Sequence, residues 1–185
     1  MGSLSQVLEE QRFLEQIPRI GKLERRHYCD VVRIINESRG IYHRTDEDYT
    51  RGISSPYLYK LIQKNNDAGI VIKMGKEIAA AVIIFPINYQ EFLAGIHTPK
   101  KMGGFPVEYV VENSNCVLIS DVVIKEQYQN TIVEKKVKDV LSQKTTGREC
   151  YAIAKTFQEK IILEKMGMFP SKEYVDGSVL FYKEC

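Results

Sequence analysis

No CxxC pair and no cluster of histidines occurs in the sequence. The four cysteines (Cys29, Cys116, Cys150, Cys185) and the three histidines (His27, His43, His97) sit in unrelated segments. That spacing argues against a zinc site and a disulfide framework, so no metal is expected and a reducing cytoplasm is the expected compartment. No apolar run approaches the roughly 18 residues of a membrane helix, and no charged-then-apolar leader opens the chain, so no membrane partner is expected. The opening Met1-Gly2-Ser3-Leu4-Ser5-Gln6 lacks the Ser or Thr that a myristoylation site carries at its sixth position. An excess of one charge is missing as well. Lys and Arg number 26 against 24 Asp and Glu, for a net charge of +2. This is too mild to imply a polyanion partner, although Lys135, Lys136 and Lys138 cluster.

What is present fits one domain with a substantial core: 185 residues, 44% hydrophobic and 27% charged. Ser3 to Ile17 reads as a helix stopped by Pro18, an appendage over residues 1–20 to a domain at 21–185. The stripe Val31, Ile34, Ile35 predicts a helix over Tyr28 to Ser38, with Gly40 suited to its cap. Ser55 as N-cap and Pro56 at the first helical position open a third helix to Asn65. The period then changes. Gly69 to Met74 and Glu77 to Phe85 form a hairpin around Gly75-Lys76, ended by Pro86. Asn88 to Val107 reads as loop and Val107 to Val111 as an edge strand. Near the end, Glu149 to Lys155 is a short strand. Thr156 and Glu159 make a capping box before a helix closed by Gly167. Lys172 to Lys183 is a hairpin around Asp176-Gly177.

The chain is organised around Val117 to Leu141. A buried strand, Val117 to Ile124, passes through a polar turn, Lys125 to Asn130, into a helix from Thr131 to about Ser142. The helix buries Val133, Val137, Val140 and Leu141. A strand running into a helix N-terminus exposes N–H groups where a phosphate can sit. Gln129 to Val133 is therefore either a phosphate loop or a simply capped helix, because Thr131 and Glu134 also form a T-x-x-E capping pattern. Asp121 is the one acid within the apolar strand. It is either a base whose pKa burial has raised, or a carboxylate held by a neighbouring lysine or backbone group. Strand alternation sets Ser120 on the opposite face. Thr156 reads first as an N-cap. Tyr57, Tyr59, Tyr89, Tyr128 and Tyr182 either line a substrate groove or pack in core and rim.

The order of elements resembles the GNAT acyltransferase superfamily over Leu23 to Glu184. Ser120-Asp121-Val122-Val123-Ile124 is similar to the Glu-Asp-Val-Val-Val strand of several members, and Ile162-Leu163-Glu164-Lys165-Met166-Gly167-Met168 to the Leu-Tyr-Glu-Lys-Leu-Gly-Phe helix end. The resemblance implies an α/β (α+β) fold: a central mixed sheet flanked by helices, here with an extra N-terminal helix. It implies acetyl-CoA or another acyl-CoA lying between Val122–Ile124 and Cys150–Lys155. The backbone of Val122, Val123 and Ile124 would meet the pantetheine arm, and Gln129, Asn130, Thr131, Ile132, Val133 and Glu134 would meet the pyrophosphate. Thr156 stands at the place of a family asparagine. The implied reaction is direct attack by the amine of a small molecule or peptide, with Asp121 or water taking the proton. Ile132 and Glu134 replace two small residues of the family loop, and Leu163 replaces a tyrosine that serves as general acid in many members. These departures keep two other readings open: a GNAT-like binding or regulatory module without the reaction, and a viral-type modifier of nucleic-acid bases, which has only the lysine cluster behind it.

Overall fold

Long unbroken apolar runs mark the strands that are covered on both faces, and two of them form the middle of the sheet: β3 (Glu77–Pro86) and β4 (Cys116–Ile124). The computed structural model describes residues 16–41, 52–96, 107–174 and 177–184. Around that centre stand β1 (Arg19–Lys22), β2 (Gly69–Met74), β5 (Glu149–Ala154), β6 (Phe169–Glu173) and β7 (Val179–Lys183), in the order β1-β2-β3-β4-β5-β7-β6. Every neighbouring pair is antiparallel except β4 with β5. A parallel pair needs a crossover, which is supplied by helix α4 (Ile132–Thr145).

Alternation along the strands feeds two cores. On one face, Val71, Ala81, Ile83, Phe85 and Leu118 meet Val31, Ile34 and Ile35 of α1 (Tyr28–Ser38) and Leu58 and Leu61 of α2 (Ser55–Lys64). On the other, Ile72, Ala80, Val82, Ile119 and Val122 meet Val133, Val137 and Leu141 of α4 and Ile162 and Leu163 of α5 (Phe157–Lys165). Each such aliphatic side chain contributes about 1.5–3 kcal/mol on burial. Gly69 is required at its place because a Cβ there would lie 2.5 Å from the Leu23 side chain, where the Leu23 N–H donates to the Gly69 carbonyl.

Several elements differ from the sequence expectation. Arg19 and Ile20, assigned to the appendage, belong to an exposed edge strand that pairs with β2. The cap of α2 is Ser54, whose hydroxyl accepts the Tyr57 N–H, and Pro56 lies inside the first turn. The stretch read as loop after Asn88 holds helix α3 (Tyr89–Ile96), opened by the Asn88 side chain, which accepts the Gln90 N–H, and anchored by buried Phe92. Val107–Tyr109 is a 3-10 turn, and only Val110 bridges to Ile87. The last hairpin begins at Phe169, three residues before Lys172. The expected helix over Ser3 to Ile17 falls almost entirely outside the described residues, as do His43, His97 and Asp176.

Candidate functional site

β4 and β5 pair only from Cys116 with Glu149 to Ile119 with Ala152. The cause is a bulge in β4. Ile83 faces Asp121 and Ile84 faces Ile119, so Ser120 is an extra residue opposite β3. Beyond it β4 stays with β3 as far as Ile124, while no described residue of β5 pairs with Ser120 to Ile124. The two parallel strands thus part, leaving an opening in the backbone pairing between Val122–Ile124 and the end of β5.

The bulge also corrects the expected placement of Ser120. It puts Ser120 and Asp121 on the same face, where the Ser120 hydroxyl donates to Asp121 Oδ2 at 2.6 Å. Arg39, the residue capping the C-terminal end of α1, pairs with Asp121 Oδ1. Lys155 Nζ, just past β5, lies 3.6 Å from the same oxygen. The Asp121 and Arg39 side chains are 0% and 3% exposed, whereas that of Lys155 is 26% exposed. Burial alone pushes the Asp121 carboxyl up, but the Lys155 and Arg39 cations together outweigh it and hold the group below the usual carboxylate range. The raised pKa expected of Asp121 is therefore not found, and the structure brings it into a buried ion pair. Burial, assisted by Arg39, lowers the Lys155 ammonium. Buried Glu159 is pushed up chiefly by desolvation. Its carboxylate accepts the N–H groups of Lys155 (2.6 Å) and Thr156 (2.9 Å), and the Thr156 hydroxyl accepts the Glu159 N–H. Thr156 is thus the N-cap of a complete capping box.

At the other end of the opening, the turn after β4 is tied to β3 by Glu77, which pairs with Lys125 and accepts the Tyr128 hydroxyl at 2.7 Å. Asn130 has φ 58°, a left-handed conformation that asparagine tolerates, and its N–H donates to Glu134 Oε2 at 2.9 Å. The Thr131 hydroxyl accepts the Val133 N–H and donates to the Tyr128 carbonyl. Glu134 thus reaches the Asn130 amide rather than that of Thr131. Its other oxygen takes Lys138 at 2.9 Å and Lys165 at 3.2 Å. Hydrogen bonds from Lys138 and from the Asn130 amide lead in lowering its pKa to about 2. Lys136 pairs with Asp139, so the lysine cluster is largely matched by acids. Ile132 is 53% exposed. Leu163, which the resemblance sets at a tyrosine position, is buried in the core beneath α5.

Val122 and Ile124 send their side chains into the α4/α5 core and Val123 into the opposite one, while their backbones pair with β3. The Ile124 carbonyl accepts Nε2 of Gln158 from α5 at 3.4 Å. The tyrosines do not gather into one groove. Tyr151 packs with Tyr89, Phe92 and Tyr182 at centroid distances of 5.6, 5.3 and 4.9 Å, but Tyr59 bonds Gln63 and Tyr128 bonds Glu77. His27 is buried, with Nδ1 accepting the Glu24 N–H and Nε2 against Lys73 Nζ. A polar cleft of about 530 Å³ opens at the far end of the sheet, by Asn65, Val117 and Arg148, away from these residues. Among the described residues no group of three or more His, Cys, Asp or Glu could hold a metal ion, and no helix is long and apolar enough to cross a membrane.

Arg39, Lys155 and Gln158 escaped the sequence reading. Lys155 had a detectable signal, as the last residue of the strand facing the presumed cleft. Arg39 had none, because 82 positions separate it from Asp121.

No protein-family model matches the sequence, and no curated protein matches it. Solved structures do share the fold. PH1933 from Pyrococcus horikoshii OT3 is 15% identical with a TM-score of 0.61, covering 91% of this chain and 99% of that one. An acetyltransferase of the GNAT family from Staphylococcus aureus Mu50 is 10% identical with a TM-score of 0.58, covering 90% and 98%. The ribosomal-protein-S18-alanine N-acetyltransferase from Escherichia coli is 9% identical with a TM-score of 0.54, covering 90% and 92%. The chain has the fold of the GNAT acetyltransferases, with its mixed sheet flanked by helices on both faces.

Proposed function

We propose that the protein is an N-acyltransferase that moves an acyl group from a thioester donor, acetyl-CoA or another acyl-CoA, to the amine of a small molecule or peptide in the cytoplasm. The observation carrying this reading is the parting of β4 and β5 at the Ser120 bulge. An extended arm would pair with the edge of Val122, Val123 and Ile124 that β5 leaves unpaired. In the reaction the amine nitrogen bonds to the thioester carbonyl carbon, the C–S bond breaks, and the nitrogen's proton must be taken up as the thiolate leaves. Chemistry of this kind needs positioning and a proton acceptor more than a covalent intermediate. Lys155, the most exposed member of its cluster, suits the place beside the departing thiolate as a cation, and water takes the proton. Asp121 then acts as the anion that orients Lys155, with Arg39 holding Asp121 in turn.

The test is calorimetry with acetyl-CoA up to millimolar concentration, followed by thiol release with a panel of amines. Binding with turnover is expected, together with loss of kcat in Lys155→Met. Absence of binding at millimolar donor overturns the reading.

A second reading, a GNAT-fold module without the reaction, is favoured by two contacts. An internal amide, Gln158, already sits on the Ile124 carbonyl, and an internal carboxylate, Glu134, on the Asn130 amide. If the protein is an acyltransferase, Gln158→Ala frees that carbonyl and tightens the donor by about two- to tenfold, the value of one net hydrogen bond. If neither the wild type nor this variant binds donor, the module reading stands.

A further inference from the structure

Coenzyme A consists of a pantetheine arm and a nucleotide diphosphate, and the two halves meet different parts of this fold. The arm half has the opening beside β4. The diphosphate half does not fit the residues present. Of the amides in the turn from Gln129 into α4, that of Gln129 donates to the Glu126 carbonyl, that of Asn130 to Glu134 and that of Val133 to the Thr131 hydroxyl. The Glu134 carboxylate is buried, and its side chain is only 11% exposed. It engages the Asn130 amide with one oxygen and Lys138 and Lys165 with the other. An incoming diphosphate would have to displace this anion from three donors while lying beside its negative charge, an arrangement that like-charge repulsion opposes. Lys138 and Lys165 converge on the same Glu134 oxygen, so these two cations are committed to an acid of the chain itself. On the arm side the Ile124 carbonyl is engaged by Gln158, a neutral amide at 3.4 Å, which opposes an incoming arm with no charge.

We infer that the protein does not recognise the nucleotide half of coenzyme A, and that its donor is selected as an acyl-pantetheine thioester. The inference rests on the acyl-transfer reading and narrows its substrate class. The same pantetheine thioester can be free or tethered through its phosphate to a carrier protein, and both sources leave the α4 N-terminus without a diphosphate.

The experiment compares four ligands by calorimetry on the full chain: acetyl-CoA, S-acetyl-pantetheine, an acetylated phosphopantetheinyl carrier protein, and adenosine 3′,5′-bisphosphate. S-acetyl-pantetheine is expected to bind at least as tightly as acetyl-CoA, and the bisphosphate not measurably. Tighter binding of the carrier-borne arm supports the inference and names the carrier as source; equal binding supports a free thioester. Glu134→Gln keeps the side chain's shape and an oxygen for the Asn130 N–H while removing the charge. It is expected to tighten acetyl-CoA about tenfold, the effect of relieving one like-charge contact, and to leave S-acetyl-pantetheine unchanged. A wild-type preference for acetyl-CoA over S-acetyl-pantetheine of about tenfold or more, as diphosphate recognition at a helix N-terminus requires, overturns the inference while the acyl-transfer reading survives. Failure of every thioester to bind overturns the acyl-transfer reading and the inference with it.

Discussion

Asp121 shows how a single residue can change its meaning between chain and fold. In the strand Val117 to Ile124 it stands as a lone acid among apolar neighbours, and burial alone would make it a base. In the structure Ser120, Arg39 and Lys155 surround it and keep it ionised. Breaking one partner of a buried pair leaves an uncompensated charge. Arg39→Ala is therefore expected to destabilise the protein by about 3–5 kcal/mol, read from the urea midpoint. Arg39→Met combined with Asp121→Leu should cost clearly less than the sum of its single substitutions, and strict additivity would mean that the pair is not coupled. Lys155 could be suspected from the sequence as a strand-end cation, but Arg39 could not, because local patterns carry no information about a contact across 82 positions.

At the scale of elements, the two helices that border the opening begin in different ways. α5 opens with a reciprocal box between Thr156 and Glu159. In α4 the Thr131 hydroxyl serves Val133 while Glu134 bonds one residue further out, at Asn130. Both Thr131→Ala and Thr156→Ala should lower stability by about 1 kcal/mol in thermal unfolding. The Thr156 change should be the larger, because it also unseats the buried Glu159. A negligible effect at Thr156 would mean that Glu159 alone satisfies that helix end. The capping pattern of α5 was readable at fixed spacing, as were the apolar stripes of α1 and α4. Helix α3 was not readable, since a short helix with one buried aromatic, Phe92, merges into the Gly-, Pro- and Lys-rich residues that follow. The Ser120 bulge was equally hidden, because a bulge is a property of two paired strands and not of one.

For the molecule as a whole, charge pairing sets the response to pH. Glu134, Asp121 and Glu77 all have folded pKa values depressed by their partners, to about 2 for Glu134 from an ordinary 4.5. Depressed carboxylates add stability that is present above their unfolded values and lost as the pH falls through the folded ones. His27, lowered by burial and then by Lys73, acts in the same sense below its ordinary 6.5. Glu159 acts oppositely, its contribution being lost as the pH rises through its raised value. With most groups on one side, the urea midpoint is expected to fall steadily from pH 7 to pH 3. Glu134→Gln should flatten that slope, costing on the order of 1–2 kcal/mol at pH 7 for a charge-assisted bond, roughly half of that at pH 3, and little once the pH falls below its folded value of about 2. An unchanged slope in the variant would show that the Glu134 contacts contribute no net stability.

The sequence alone determined the α/β alternation, the buried central strand running into a helix, the cap at Thr156 and the absence of a cysteine or histidine cluster, because all of these follow from short-range periodicity and composition. Tertiary structure alone decided what the central unit presents. The pairing register of β3 with β4 made the bulge that parts β4 from β5, and the packing of α1 and α5 over that gap delivered Arg39 and Gln158 to it. Glu134 meets Asn130 and Lys138 four residues to either side of it, but Lys165 reaches the same carboxylate only because α5 lies against α4, a distance in space that spacing along the chain does not encode.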